Sequence, residues 1–209
     1  MVMKSKVWAW LFTPFKFIAG TKALILGLVV MAVLAILGYY SGTYFNGAID
    51  IHYGDSMVSS VPFVIHLFFQ ICAWFSLTLS LYVTARIVSK SSVRLIDIAG
   101  TLVLSQLPLV IAALWGFTPL AHISFGEVDI LNLNIGQLMA VLMENLPSLI
   151  VTVVVSTLAI IWSFVLKYNA YSVSANIKGV IGIVSFAVAL IVAEIISQIL
   201  LHFILPLLV

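Results

Sequence analysis

The chain has 209 residues, of which 64% are hydrophobic and only 8% charged, against about 25% charged in an ordinary soluble domain. That composition excludes a soluble globular fold, and the formal charge of +2 is informative through its placement rather than its size. With about 20 residues per span, the length accommodates five spans and short loops but no separate soluble domain. The predicted fold class is therefore all-α: a polytopic membrane protein, one membrane domain over residues 1–209, built as a bundle of five transmembrane helices.

Residues 1–22 mix Lys4, Lys6, Lys16 and Lys22 with Trp8, Trp10, Phe12, Phe15 and Phe17. Half-buried rings beside wet ammonium groups suit the headgroup layer, so this segment reads as an interfacial helix broken near Pro14. The apolar run that follows is too long for the core of a cleaved signal peptide and predicts an uncleaved anchor. The first span covers residues 23–44, where Gly38 and Gly42 form a small-xxx-small pair able to admit a second helix. Residues 46–60 form a polar loop with Asp50, His52 and Asp55 and no Lys or Arg.

The second span (61–87) and third span (98–117) make a hairpin about a turn that carries Arg86, Lys90 and Arg94. Asp97 opens the third span as a helix cap and local counter-charge. Cys72, the single cysteine, lies in an apolar run and reads as a packing residue. Pro108 predicts a kink. A loop with Glu127 and Asp129 follows, and then Ile135, Leu138, Met139, Leu142, Met143 and Leu146 recur at helical spacing, with Gln137, Glu144 and Asn145 off the stripe. Residues 135–146 therefore read as a second interfacial helix, on the outer side.

The fourth span covers residues 147–166, with Ser148, Thr152 and Ser156 on one face, expected to bond their own backbone or a neighbouring helix. Residues 167–178 form a polar turn bounded by Lys167 and Lys178. The fifth span, 179–205, is interrupted by Glu194.

All nine Lys and Arg fall in the N-terminal segment, the second-to-third turn or the fourth-to-fifth turn, which lie on one side of a five-span chain. The other side receives Asp50, Asp55, Glu127, Asp129 and Glu144. The positive-inside rule then places the N-terminus inside and the C-terminus outside.

Glu194 is the most informative polar residue, because a charge near the bilayer centre costs roughly 2.5–3.5 kcal/mol even on insertion scales. Gln198 and His202 share its helix face. His66 and Gln70 form a similar pair on the second span, and the expected arrangement is a buried, protonated Glu194 hydrogen-bonded to one of them. In that arrangement Glu194→Gln leaves folding nearly intact. Arg86, Lys90, Arg94 and Asp97 are the inner-face charges. The Asp50–His52–Asp55 and His122–Glu127–Asp129 groups match no metal-ligand spacing, and no hydrolase, P-loop or zinc-protease motif is present, so no catalytic, cofactor or metal residues are assigned.

The order of parts resembles the Yip1-domain membrane proteins, in their small bacterial form. The residues that carry the likeness are Thr13-Pro14-Phe15-Lys16-Phe17 before the spans and Leu104-Ser-Gln-Leu-Pro108-Leu in the third span. Trp162 in the fourth span and Lys167-Tyr-Asn-Ala-Tyr-Ser172 after it complete the set. Val103-Leu104 stands where the eukaryotic pattern has Gly-Tyr, and the D-L-x-G-P motif is missing, so the resemblance implies a bacterial cytoplasmic (inner) membrane protein rather than a Rab-binding one. It implies a non-enzymatic scaffold or membrane-organising protein whose partners are the lipid bilayer, other membrane proteins or a second copy, with no nucleic acid. A small transporter or channel component using Glu194 is the alternative.

Overall fold

A computed structural model describes residues 8–54, 56, 59–122 and 135–207. Lys4, Lys6, Asp55, Glu127 and Asp129 lie outside the described residues, as do the side chains of Gln137 and Leu138. The helices are α1 (Gly20–Tyr40), α2 (Phe63–Val88), α3 (Leu95–Leu104), α4 (Leu109–Trp115), α5 (Ile135–Glu144), α6 (Leu146–Ala175) and α7 (Gly179–Ile204). Two short strands, β1 (Thr43–Tyr44) and β2 (His52–Tyr53), pair antiparallel. Counting α3 and α4 as one interrupted span, five helices among the described residues are long and apolar enough to cross a membrane. The chain is thus a multi-pass helical membrane protein.

The connections fix how the helices alternate. At one end Ser89 Oγ donates to Ala175 O at 2.6 Å, Thr101 Oγ1 meets Ser174 Oγ at 3.2 Å, and Asn176 Nδ2 donates to Ser91 Oγ at 3.1 Å. This end, which also carries Arg86, Lys90, Arg94 and Lys178, is called the basic end below. At the far end Leu201 of α7 packs with Ile65, Phe69 and Cys72 of α2. Leu77, Leu81, Ile98, Leu102, Ala170 and Tyr171 form the main buried cluster between α2, α3 and α6.

The closest helix crossing, between α1 and α3, runs through glycines that the sequence reading did not single out. A Cβ on Gly100 would lie 2.6 Å from Gly20 O and 2.8 Å from Leu24 N, and one on Gly27 would lie 2.7 Å from Leu104 N. Backbones pack here because neither side chain exists to separate them. The Gly38/Gly42 pair, whose spacing would admit a second helix, is used within the chain. Gly42 lies beyond the end of α1 with φ +56° and turns the chain into β1, while a Cβ on Gly38 would meet Thr43 O at 2.7 Å. The pair serves a turn within the chain.

Pro108 does more than kink the third span. Helix α3 ends at Leu104 and α4 restarts at Leu109. Proline has no N–H and its ring crowds the preceding turn, so the regular ladder stops. The Ser105 carbonyl is then bonded by Ser163 Oγ of α6 at 3.1 Å.

The fourth helix is longer than its expected bounds of 147–166. It continues to Ala175 and ends at Asn176, whose φ of 51° and ψ of 43° form a left-handed C-cap. The stretch 167–175 was read as a turn because it is polar, but its polar groups have partners within the fold. Asn169 Nδ2 donates to Phe12 O at 2.7 Å and Tyr171 OH meets Ser185 Oγ at 2.9 Å. Of the three hydroxyls on the first half of α6, Ser148 bonds Asn145 O and Thr152 accepts from Trp115 of α4, as expected, whereas Ser156 meets Tyr53 OH of strand β2 rather than a helix.

The N-terminal segment is helical over residues 8–12 and breaks into a short 3-10 turn at Pro14–Lys16. It is tied to protein as well as suited to an interface. Trp162 Nε1 donates to Leu11 O at 2.9 Å, the Phe12 and Trp162 rings lie 6.2 Å apart, and Phe15 is buried.

Candidate functional site

The strands β1 and β2 form the neck of a hairpin whose tip, residues 45–51, turns back into the bundle. Phe45, Gly47 and Ala48 are buried there, and Ala48 belongs to the main core cluster. A buried loop carries backbone groups that have no ladder to join, and each unpaired one costs free energy. Side chains from α6 and α7 supply the partners.

One peptide unit is held from both sides. Lys167 Nζ on α6 donates to Ala48 O at 3.0 Å, and the Ile49 N–H of the same peptide donates to Glu194 Oε2 on α7 at 3.0 Å. The cation thus sits on the carbonyl and the carboxylate on the amide hydrogen, each matching the peptide dipole. Gln198 Nε2 donates to Glu194 Oε1 at 2.7 Å and reaches Asn46 O at 3.4 Å, and Ala48 N–H bonds Ser197 Oγ at 3.3 Å. Gly47 leaves room for the carboxylate, since a Cβ there would lie 2.8 Å from Glu194 Oε1. Lys167 also lies 5.3 Å from the centroid of the Phe164 ring.

The position along each helix places this clamp well inside the span. Glu194 is roughly 22 Å along α7 from Gly179, and Lys167 is about 12 Å along α6 from Ala175, at 1.5 Å per residue. The lysine stem bridges much of the difference, so the clamped peptide lies near the middle of the bundle.

Glu194 was singled out from the sequence, but its expected partners were not the observed ones. Among the described residues no hydrogen bond joins it to His66 or Gln70. His66 Nε2 meets Ser59 Oγ at 2.7 Å, with its ring against Tyr39, Tyr44 and Phe69. Gln70 is buried near the clamp, lining the same small cavity as Ala48, Ile49 and Lys167, but it has no partner for Nε2. Both Glu194 oxygens accept from N–H donors, those of Ile49 and Gln198, rather than from either expected partner. Gln198 does join Glu194, whereas His202 is exposed with its ring edge-on to Phe203.

Lys167 was missed. Read as the first residue of a turn at the basic end, it is instead a buried helix residue, 3% exposed, and only eight of the nine Lys and Arg remain in the N-terminal segment and the two turns. The signal was there in Phe164, Val165 and Leu166, which precede it without a turn residue. Beside it Gln70, Gln106 and Ser163 line a cavity of about 10 Å³, into which Gln70 Nε2 and Gln106 Oε1 bring buried atoms without partners. That volume suits about one water molecule.

The charges at the basic end are on the surface. Arg94 and Asp97 pair through Nε to Oδ2 at 2.7 Å and a second nitrogen to Oδ1 at 3.2 Å. This contact holds the Arg94 guanidinium above its ordinary range, chiefly through the hydrogen bond. Asp97 is therefore the expected counter-charge, but not the cap: Arg94 occupies the N-cap position and no side chain caps α3. Arg86 reaches Tyr82 OH at 3.3 Å, and Lys90 is exposed. At the far end His52 Nδ1 lies 3.5 Å from Asp50, and this bond draws the Asp50 carboxyl below its usual value. Among the described residues no group of His, Cys, Asp and Glu could hold a metal ion.

Comparisons with protein-family models, with curated proteins and with solved structures found no match to this chain.

Proposed function

We propose that this chain is a non-enzymatic scaffold of the Yip1 type in a bacterial cytoplasmic membrane, its N-terminus inside and its C-terminus outside. It acts through helix–helix contacts with other membrane proteins or with a second copy. The observation that carries this reading is the shared peptide: Lys167 and Glu194 both bind the Ala48–Ile49 unit. Charges engaged in holding a loop have a structural task, which accounts for their presence without an ion path. The adjoining cavity of about 10 Å³ is too small for a column of water. A broad apolar face remains free for contact on α1, where Ile25, Val29, Val33 and Ile36 are exposed.

The alternative, a small transporter or channel component, has one observation in its favour: Gln198 is exposed beside Glu194, so the clamp has a polar flank. Proton and cation flux in proteoliposomes discriminates the two. The scaffold reading expects no flux above empty vesicles from wild type, Glu194→Gln or Lys167→Met. Flux in the wild type that Glu194→Gln abolishes would overturn it.

A further inference from the structure

A second cavity, of about 420 Å³, opens between the hairpin neck, the short turn at Pro119–Ala121 and the first half of α6. We propose that it holds one acyl chain of a bilayer phospholipid. Its volume falls in the range of ligand sites, about 300–1,000 Å³. Ile51, Leu120, Ala121, Leu149 and Val153 give it apolar walls.

Three of the four hydroxyls that line it, those of Tyr53, Thr152 and Ser156, are engaged with protein. Tyr53 OH donates to Ala112 O at 3.0 Å and meets Ser156 Oγ at 3.1 Å. Thr152 Oγ1 donates to Leu120 O and accepts from Trp115 Nε1, both at 3.0 Å. A sugar or a peptide would need donors and acceptors that these bonds already occupy, whereas a hydrocarbon chain needs none.

Two features select a lipid chain over an apolar solute from water. Of the lining residues His52, Leu120, Val153 and Thr157 are exposed, and Val153 and Thr157 lie beside Val154 and Leu158 on the outward face of α6, so on that side the cavity opens onto the hydrocarbon layer. From Leu149 to Thr157 the cavity follows α6 for about 12 Å, starting within one turn of the helix end and running towards mid-bilayer. This is the direction of an acyl chain in one leaflet. His52 at the rim, paired with Asp50, marks the polar end.

The test uses the full chain in phosphatidylcholine–phosphatidylglycerol vesicles doped with a phospholipid carrying a photoreactive group on one acyl chain. Crosslinks are mapped by peptide mass spectrometry. Ile51, Leu120 and Leu149 should label well above Ile183 and Ile191 of α7, which meet bulk lipid. Filling the mouth with Val153→Trp, or separately Thr157→Trp, should lower cavity labelling by roughly fivefold or more, equivalent to about 1 kcal/mol. Labelling of α7 should stay unchanged, which also reports that each variant is folded and inserted. Cavity labelling no greater than that of α7, or labelling that persists in both variants, would overturn the proposal. So would its displacement by free fatty acid at concentrations that leave α7 labelling intact, since the occupant would then not be a phospholipid.

Discussion

Replacing Lys167 by Met removes the cation from the clamped peptide while keeping most of the side-chain volume. The residue is 3% exposed and its Nζ–O distance to Ala48 is 3.0 Å, so little water is available to replace the bond. A hydrogen bond to a charged group contributes about 1.5–3 kcal/mol, and removing one partner of a buried charge arrangement costs about 3–5 kcal/mol. Glu194 keeps two donors, from Ile49 and Gln198, and is only partly buried, so the cost falls below the second range and in the upper part of the first. The expected loss is about 2–3 kcal/mol. Glu194→Gln should also destabilise, contrary to the reading from sequence, because it leaves the Lys167 ammonium without its counter-charge. The double variant Lys167→Met with Glu194→Gln leaves no unpaired charge, so its cost should fall short of the summed single costs by about 1–2 kcal/mol. Unfolding free energies in bicelles, measured by steric trapping, give all three values. A Lys167→Met cost below about 0.5 kcal/mol, or strict additivity, would refute the charge-clamp reasoning.

Gly100→Ala should cost about 1–3 kcal/mol in the same assay, because its methyl group would meet Gly20 O and Leu24 N, both backbone atoms that cannot rotate away; a neutral result would show that α1 and α3 do not cross as closely as described. Asn169→Ala and Trp162→Phe each remove one bond to the N-terminal segment, at Phe12 O and Leu11 O. Amide hydrogen exchange over residues 8–17 should quicken several-fold for each, from a loss of about 1 kcal/mol, and unchanged exchange would mean the segment is held otherwise. For orientation, cysteines at exposed Ser91 and Lys178 should be shielded from an impermeant thiol reagent in intact cells, while one at Ser60 should react. The opposite pattern would invert the assignment, and native Cys72 is buried and adds no background.

The sequence alone determined the number of spans, a disturbance of the third helix at Pro108 and the prominence of Glu194, because each depends on local quantities. Apolar length is counted along the chain, proline removes a hydrogen bond wherever it stands, and a carboxylate in an apolar run is costly whatever surrounds it. The partner of that carboxylate was decided by tertiary structure. Residue types suggested His66 or Gln70, yet the observed donor is the backbone N–H of Ile49, a group every residue except proline carries and no sequence pattern marks. Lys167 bonds a carbonyl 119 residues away, and the long polar end of α6 stays helical because Phe12, Asp97 and Ser185 approach it from elsewhere. The loop of residues 45–51 falls almost wholly in the stretch 46–60, which reads from its sequence as a polar loop. It enters the bundle because two opposite charges on different helices meet both sides of one of its peptide bonds, a match that exists only once α6 and α7 are packed.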